Sequence, residues 1–184
     1  MAEHKLPIDE LNNLNEYVTR TVEQTGEVSA TEAEDELEDL LILAYVGGCE
    51  YANEVLGTEL KPDTEKMQKA IFKKFDGKDF RDRISEYAPE GKYGSIARVA
   101  DTDTHRVYNQ AILDTVEQSG RNVKKTWRTM GDIKVRDTHD YLEGITVDWD
   151  SDFVTYNGDH TQFPGEFGIA QEDCNCRCLI DISV

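Results

Sequence analysis

A chain of 184 residues is long enough to bury one hydrophobic core or two small ones. Its 38 Asp and Glu against 20 Lys and Arg leave a formal net charge of −18, which disfavours a general role in coating nucleic acid or anionic membrane. No apolar run is long enough to span a bilayer, and Met1-Ala2-Glu3-His4-Lys5 leads into polar sequence rather than a signal segment.

The sequence therefore reads as that of a protein made and folded in a cytoplasm, where its four cysteines are expected as thiols or metal ligands rather than disulfides. Residues 8–25 place Ile8, Leu11, Leu14, Val18 and Val22 at spacings of three and four, which predicts an amphipathic helix ended by Gly26. A second helix is expected from a cap at Ser29 or Thr31 to Gly57, with Leu37, Leu40, Leu41, Ala44, Gly48, Ala52 and Val55 on one face. Gly47-Gly48 inside it costs about 1–2 kcal/mol of helix propensity and points to close packing or a kink. Glu32, Glu34, Asp35 and Glu36 lie in its first turns, where the helix dipole favours them.

Pro62-Asp63 opens a third helix predicted to run to about Asp76, with Met67, Ala70, Ile71 and Phe75 inward. A short helix with Phe80, Ile84 and Tyr87 follows, broken by Pro89-Glu90-Gly91. Tyr93 to Gly120 reads as one long helix facing the core through Ile96, Ala100, Val107 and Ala111. Beyond Gly120 the period changes. Val123, Trp127 and Met130 read as strand, Ile145-Thr146-Val147 and Phe153-Val154-Thr155-Tyr156 as a hairpin, and Leu179 to Val184 as a closing strand. The expected fold class is α+β: an acidic helical arm over residues 1–92, and a small antiparallel sheet module over residues 93–184 that includes the long connecting helix. No internal repeat or low-complexity tract is present.

Charge is spread unevenly. Residues 1–60 hold fifteen Asp or Glu against two Lys or Arg, so the acidity belongs mainly to the first helices. A solvated face accounts for this, and so does a surface shaped for a basic partner, for which Glu34, Glu36 and Glu38 are the candidate contacts.

An ordered set of residues fills the second half: Ala100-Asp101-Thr102-Asp103-Thr104, Trp127, Asp132, Arg136-Asp137-Thr138-His139, Leu142, Gly144, Gly158, Pro164 and Asn175-Cys176-Arg177-Cys178. This set resembles the phage Mu F-like minor head proteins, also described as head morphogenesis proteins. The resemblance implies a non-catalytic minor head protein of a tailed phage or prophage. It would be carried inside the virion, bind portal, major capsid or scaffold protein during head assembly, and assist DNA packaging or ejection. Where the family has Arg before Thr-Glu this chain has Asp101, and Arg98 one turn earlier is the expected substitute. The sequence ends just after the closing strand, so no appended effector domain is expected.

Three groups of residues carry the chemical alternatives. Cys174, Cys176 and Cys178 share one face if extended, and with His139 they would suit tetrahedral zinc. The competing readings are small buried thiols of a closing strand, or a disulfide. His139 itself reads as a ligand or base, or as a hydrogen-bonded hinge paired with Asp137 or Asp140. Lys124, Lys125 and Arg128, with Lys134, Arg136 and Trp127, could meet a nucleic-acid backbone, or else pair with Asp148, Asp150, Asp152 and Asp159 across strands. A metal-independent nuclease could be assembled from His105, Arg106, Tyr108, Arg136 and His139. No phosphate loop or nucleophile elbow is present.

Overall fold

The computed structural model describes residues 2–184. The long helix of the second half, α5 (Tyr93–Ser119), is the axis on which the rest is built. Its middle is buried on all sides, from Asp103 through Asn109 and from Ala111 through Val116. Periodicity revealed one apolar face only, because the other faces mix apolar residues such as Ile112 and Leu113 with buried polar ones such as Asp103, Arg106 and Asn109.

Helix α1 (Ile8–Thr25) ends at Gly26 in the left-handed conformation. Helix α2 (Ala30–Leu56) starts at Ser29, whose side chain accepts the Glu32 N–H, and ends at left-handed Gly57. Helices α2 and α5 pack along much of their length, and the glycine pair lies at the crossing. A Cβ on Gly48 would run into the Tyr108 carbonyl and come within 2.8 Å of the Ala111 Cβ, while one on Gly47 would meet the Lys5 carbonyl. Close approach, not a kink, is what the pair provides.

Helix α3 (Thr64–Ile71) is capped by Asp63 but stops five residues short of the expected end. Asp76 and Gly77 both have positive φ, 51° and 78°, and Phe75 and Lys78 exchange backbone hydrogen bonds of 2.9 and 3.1 Å. This is a two-residue turn of the Asp-Gly kind, and it forces the chain out of the helix before Phe75. Helix α4 (Phe80–Tyr87) begins with a reciprocal capping box between Asp79 and Asp82.

The main sheet has the order β2-β1-β5, all antiparallel, with β1 (Lys124–Arg128) in the centre, β2 (Thr146–Asp148) on one side and β5 (Leu179–Ser183) on the other. The hairpin expected between residues 145–147 and 153–156 does not form. β2 pairs instead with β1, while β3 (Phe153–Val154) pairs with β4 (His160–Thr161) in a separate ribbon. Met130 lies beyond β1 and is largely exposed. Two single-turn helices, α6 (Asp137–Asp140) and α7 (Ala170–Asp173), bracket this region.

The architecture is α+β, and one hydrophobic core runs from Leu11 and Leu37 through Ile96 and Tyr108 to Trp127 and Ile182. Burial is therefore continuous across residue 92. The acidic helices lie against this core: the Ser85 hydroxyl donates to Glu34 at 2.5 Å and Arg81 pairs with Glu38, whereas Asp35, Glu36 and Asp39 face outward.

Candidate functional site

The best-organised polar cluster lies where α6, α7 and the approach to β5 meet under Trp127. His139 is buried on α6, stacked on Phe167 with ring centroids 5.5 Å apart and edge-on to Trp127 at 5.2 Å. Its Nε2 lies 3.0 Å from Glu172 Oε2, and the Thr138 hydroxyl donates to that same oxygen at 2.8 Å. The carboxylate sits off the N–H axis, so it orients the ring by charge more than by a linear hydrogen bond. The hinge partner is thus Glu172 from α7, not Asp137 or Asp140.

On the other side of the ring, Nδ1 faces two buried sulfurs, Cys178 Sγ at 3.5 Å and Cys176 Sγ at 3.6 Å. The three donor atoms all lie within 4.8 Å of one another. Cys174 is not among them. Asn175 takes a left-handed φ of 58°, which breaks the extended alternation and turns Cys174 outward, where it is exposed. The Cys176 thiol is held well below its ordinary range, first by the hydrogen bond from Cys178 and then by His139 beside it. Cys178 is pushed up because that hydrogen bond and burial both retain its proton.

The surrounding polar residues tie segments together. Arg136 donates to the Cys174 carbonyl at 2.6 Å and also to the Glu172 carbonyl, and the Thr102 hydroxyl accepts the Asn175 N–H at 2.9 Å. One Arg177 nitrogen reaches both Asp132 oxygens at 2.7 and 2.9 Å. Gly144, at φ 74°, donates its N–H to the Trp127 carbonyl. Asp137 opens the single turn of α6. Asp103 binds Arg106 at 3.2 Å and Arg83 at 2.7 Å, and Arg106 donates to the Ala70 carbonyl at 3.0 Å. Arg98 is exposed, so the buried guanidinium on this helix is that of Arg106.

The remaining candidate groups disperse. Lys124 pairs with Asp148 at 2.5 Å, and Arg128 with Asp181 at 2.6 Å and Glu143 at 3.4 Å. Lys125 is fully buried against Gln162, and burial pushes its ammonium down to about 8. The expected basic patch is therefore largely spent on internal partners. Of the nuclease candidates, His105 faces the Asp101 carbonyl at 2.8 Å, Tyr108 accepts the Lys5 N–H at 2.9 Å, and Arg106, Arg136 and His139 are engaged as described. They form separate networks and do not converge on one cleft.

Sequence reading missed Glu172, Phe167 and Asn109, and it cast Arg106 as a nuclease candidate rather than as the buried partner of Asp103. Asn109 donates to the Cys178 carbonyl at 3.0 Å and accepts the Ile180 N–H at 3.1 Å, which fastens β5 to α5. The available signal was an amide amid core-facing residues, since a buried amide must be paired.

A family model described as Phage Mu protein F like protein matches residues 64–181. The chain belongs to this family. The Mu F-like match takes in α3 through most of β5, and with them the His139, Cys176 and Cys178 cluster. A protein named NAD(+)–arginine ADP-ribosyltransferase EFV, from Enterococcus faecalis (strain ATCC 700802 / V583), is 36% identical over 109 residues, 56% of this chain and 22% of that protein. Minor head protein GP7 of Bacillus phage SPP1 is 32% identical over 83 residues, 44% of this chain and 27% of that protein. The chain thus spans about a quarter of the length of these curated relatives. No solved structure matches it.

Proposed function

We propose that this protein takes part in phage head morphogenesis as a minor head protein, acting by binding rather than by catalysis. The reading rests on one observation above all: polar side chains of the Mu F-like region are consumed in joining its own segments, as those of Thr102, Arg136 and Arg177 are. A rigid platform suits a part that must hold a fixed orientation in an assembly. Membership of the family and the likeness to a minor head protein support the same reading. Its partners are the portal, major capsid or scaffold protein, and its place is inside the virion.

The acidic outer face of α2 is the docking surface, through Asp35, Glu36 and Asp39. Glu34 and Glu38 belong to the internal contact with α4, and reversing them would confound docking with stability. Reversal of Asp35, Glu36 and Asp39 to Lys is expected to reduce the copies of this protein per head at least several-fold, with the melting temperature preserved. Quantitative mass spectrometry of purified heads measures this, and unchanged incorporation removes the docking surface.

The relative named as an ADP-ribosyltransferase favours a second reading, that of a catalyst. The match takes in only 22% of that protein, which is compatible with a shared head module beside a separate transferase region. Transfer of ADP-ribose from NAD(+) to an arginine acceptor is expected to be absent. Transfer by the purified chain would overturn the binding reading.

A further inference from the structure

The His139, Cys176 and Cys178 cluster has the dimensions of a metal site. In a tetrahedral zinc centre with Zn–S of about 2.3 Å and Zn–N of about 2.0–2.1 Å, neighbouring sulfur and nitrogen ligands are about 3.6 Å apart. Here the two Sγ to Nδ1 distances are 3.5 and 3.6 Å. The near equality matters, because Nδ1 has a single lone pair and can accept one well-aligned hydrogen bond. Two sulfurs at nearly equal distance from that one acceptor leave a position for a cation between the three atoms.

The surroundings complete the case. Glu172 at Nε2 favours the tautomer with its proton there, which leaves the Nδ1 lone pair facing the sulfurs. A carboxylate behind a ligating imidazole is the usual outer support of a metal-bound histidine, and here Glu172 acts on the ring by charge at 3.0 Å rather than through a linear hydrogen bond. The donors come from two places far apart in the chain, α6 and the approach to β5, and all three are buried. A small cavity of about 10 Å³ between Met130, Val135, Arg136 and the cluster is close to the space one water needs. Two thiolates and one imidazole form a soft to borderline donor set that suits zinc rather than calcium or magnesium.

We infer that His139 Nδ1, Cys176 Sγ and Cys178 Sγ bind one zinc ion, with water as the fourth ligand and Glu172 as the positioning residue behind His139. The ion staples α6 to the closing strand. This inference stands apart from the head-assembly reading, because it concerns how the module is held shut.

The full chain, purified under reducing conditions without chelator, is expected to carry one zinc per chain by elemental analysis. After removal of zinc, added cobalt(II) is expected to give a thiolate-to-cobalt charge-transfer band. Cys174→Ser should retain both signals in full. Cys176→Ser, Cys178→Ser and His139→Ala should each lose them, and Glu172→Gln should bind cobalt about 10–100-fold more weakly. If the cysteine variants fail to fold, the wild-type stoichiometry and Glu172→Gln still decide. Wild-type protein with fully reduced thiols that neither carries zinc nor takes up cobalt would falsify the site. Loss of metal in Cys174→Ser equal to that in Cys176→Ser would overturn the ligand set.

Discussion

Asp181 is the residue at which three distant parts of the chain meet. His4 Nε2 lies 2.9 Å from its Oδ1, the Tyr51 hydroxyl donates to the same oxygen at 3.2 Å, and Arg128 Nε reaches Oδ2 at 2.6 Å. The hydrogen bond from His4, with Arg128 in support, holds this carboxyl down to about 2 from an ordinary value of 3.8. A group that binds its proton more weakly when folded contributes stability above its unfolded value and loses it as the pH falls through the folded one. Asp181 is therefore expected to contribute about 1 kcal/mol at neutral pH, the linkage value for such a shift reduced for a side chain one-third open to solvent. Denaturant unfolding of wild type and Asp181→Asn checks this: the difference should persist at neutral pH and shrink from about pH 4 toward pH 2. A constant difference would mean that the ion pairs contribute nothing. None of this was legible in the sequence, where Asp181 is one polar position in an alternating strand and His4 has no pattern around it.

At the scale of elements, α5 and β5 are joined by a single amide. Asn109→Ala would leave the Cys178 carbonyl and the Ile180 N–H buried without partners, at a cost of about 1–3 kcal/mol each. A loss of at least about 2 kcal/mol in unfolding free energy is expected, and a loss under 1 kcal/mol would show that water or a shift of β5 replaces the amide. The helices were legible because they carry explicit ends: Gly26, Ser29, Gly57, Asp63 and Gly120 all stand where expected. Strand partners were not, because pairing is a tertiary choice. Nothing local says that Thr146–Asp148 joins β1 and leaves Phe153–Val154 to pair with His160–Thr161. Asp76-Gly77 was an available signal, passed over because the apolar spacing of α3 continued to Phe75. The cluster was half legible: His139 and the Cys-x-Cys pair were found together, but the left-handed Asn175 that removes Cys174 has no trace in side-chain alternation.

For the whole molecule the governing quantity is the net charge of −18. Many of the cations are committed to pairs, such as Lys124 with Asp148 and Lys66 with Glu117, while Asp35, Glu36 and Asp39 stay outward. Self-repulsion is then expected to outweigh screening of the exposed pairs, since such pairs are individually worth little. Raising the ionic strength from about 0.01 to 0.15 M shortens the Debye length from about 30 to 8 Å and should raise the melting temperature. Thermal unfolding at the two salt concentrations measures this, and a decrease would show that internal ion pairs outweigh the repulsion.

The central place of β1 has a consequence in time. Both of its partners, β2 and β5, lie later in the chain. As the polypeptide emerges from a ribosome, α1 to α5 can pack together while β1 still has two open edges. Trp127, which the finished fold buries completely, meets His139, Phe153 and Phe167 as they arrive but gains its strand partner Ile180 only with residues 179–183. Of the three strands of this sheet, β5 is the last to be made and closes it, and the wait for it is when the nascent chain is most open to pairing with a neighbour.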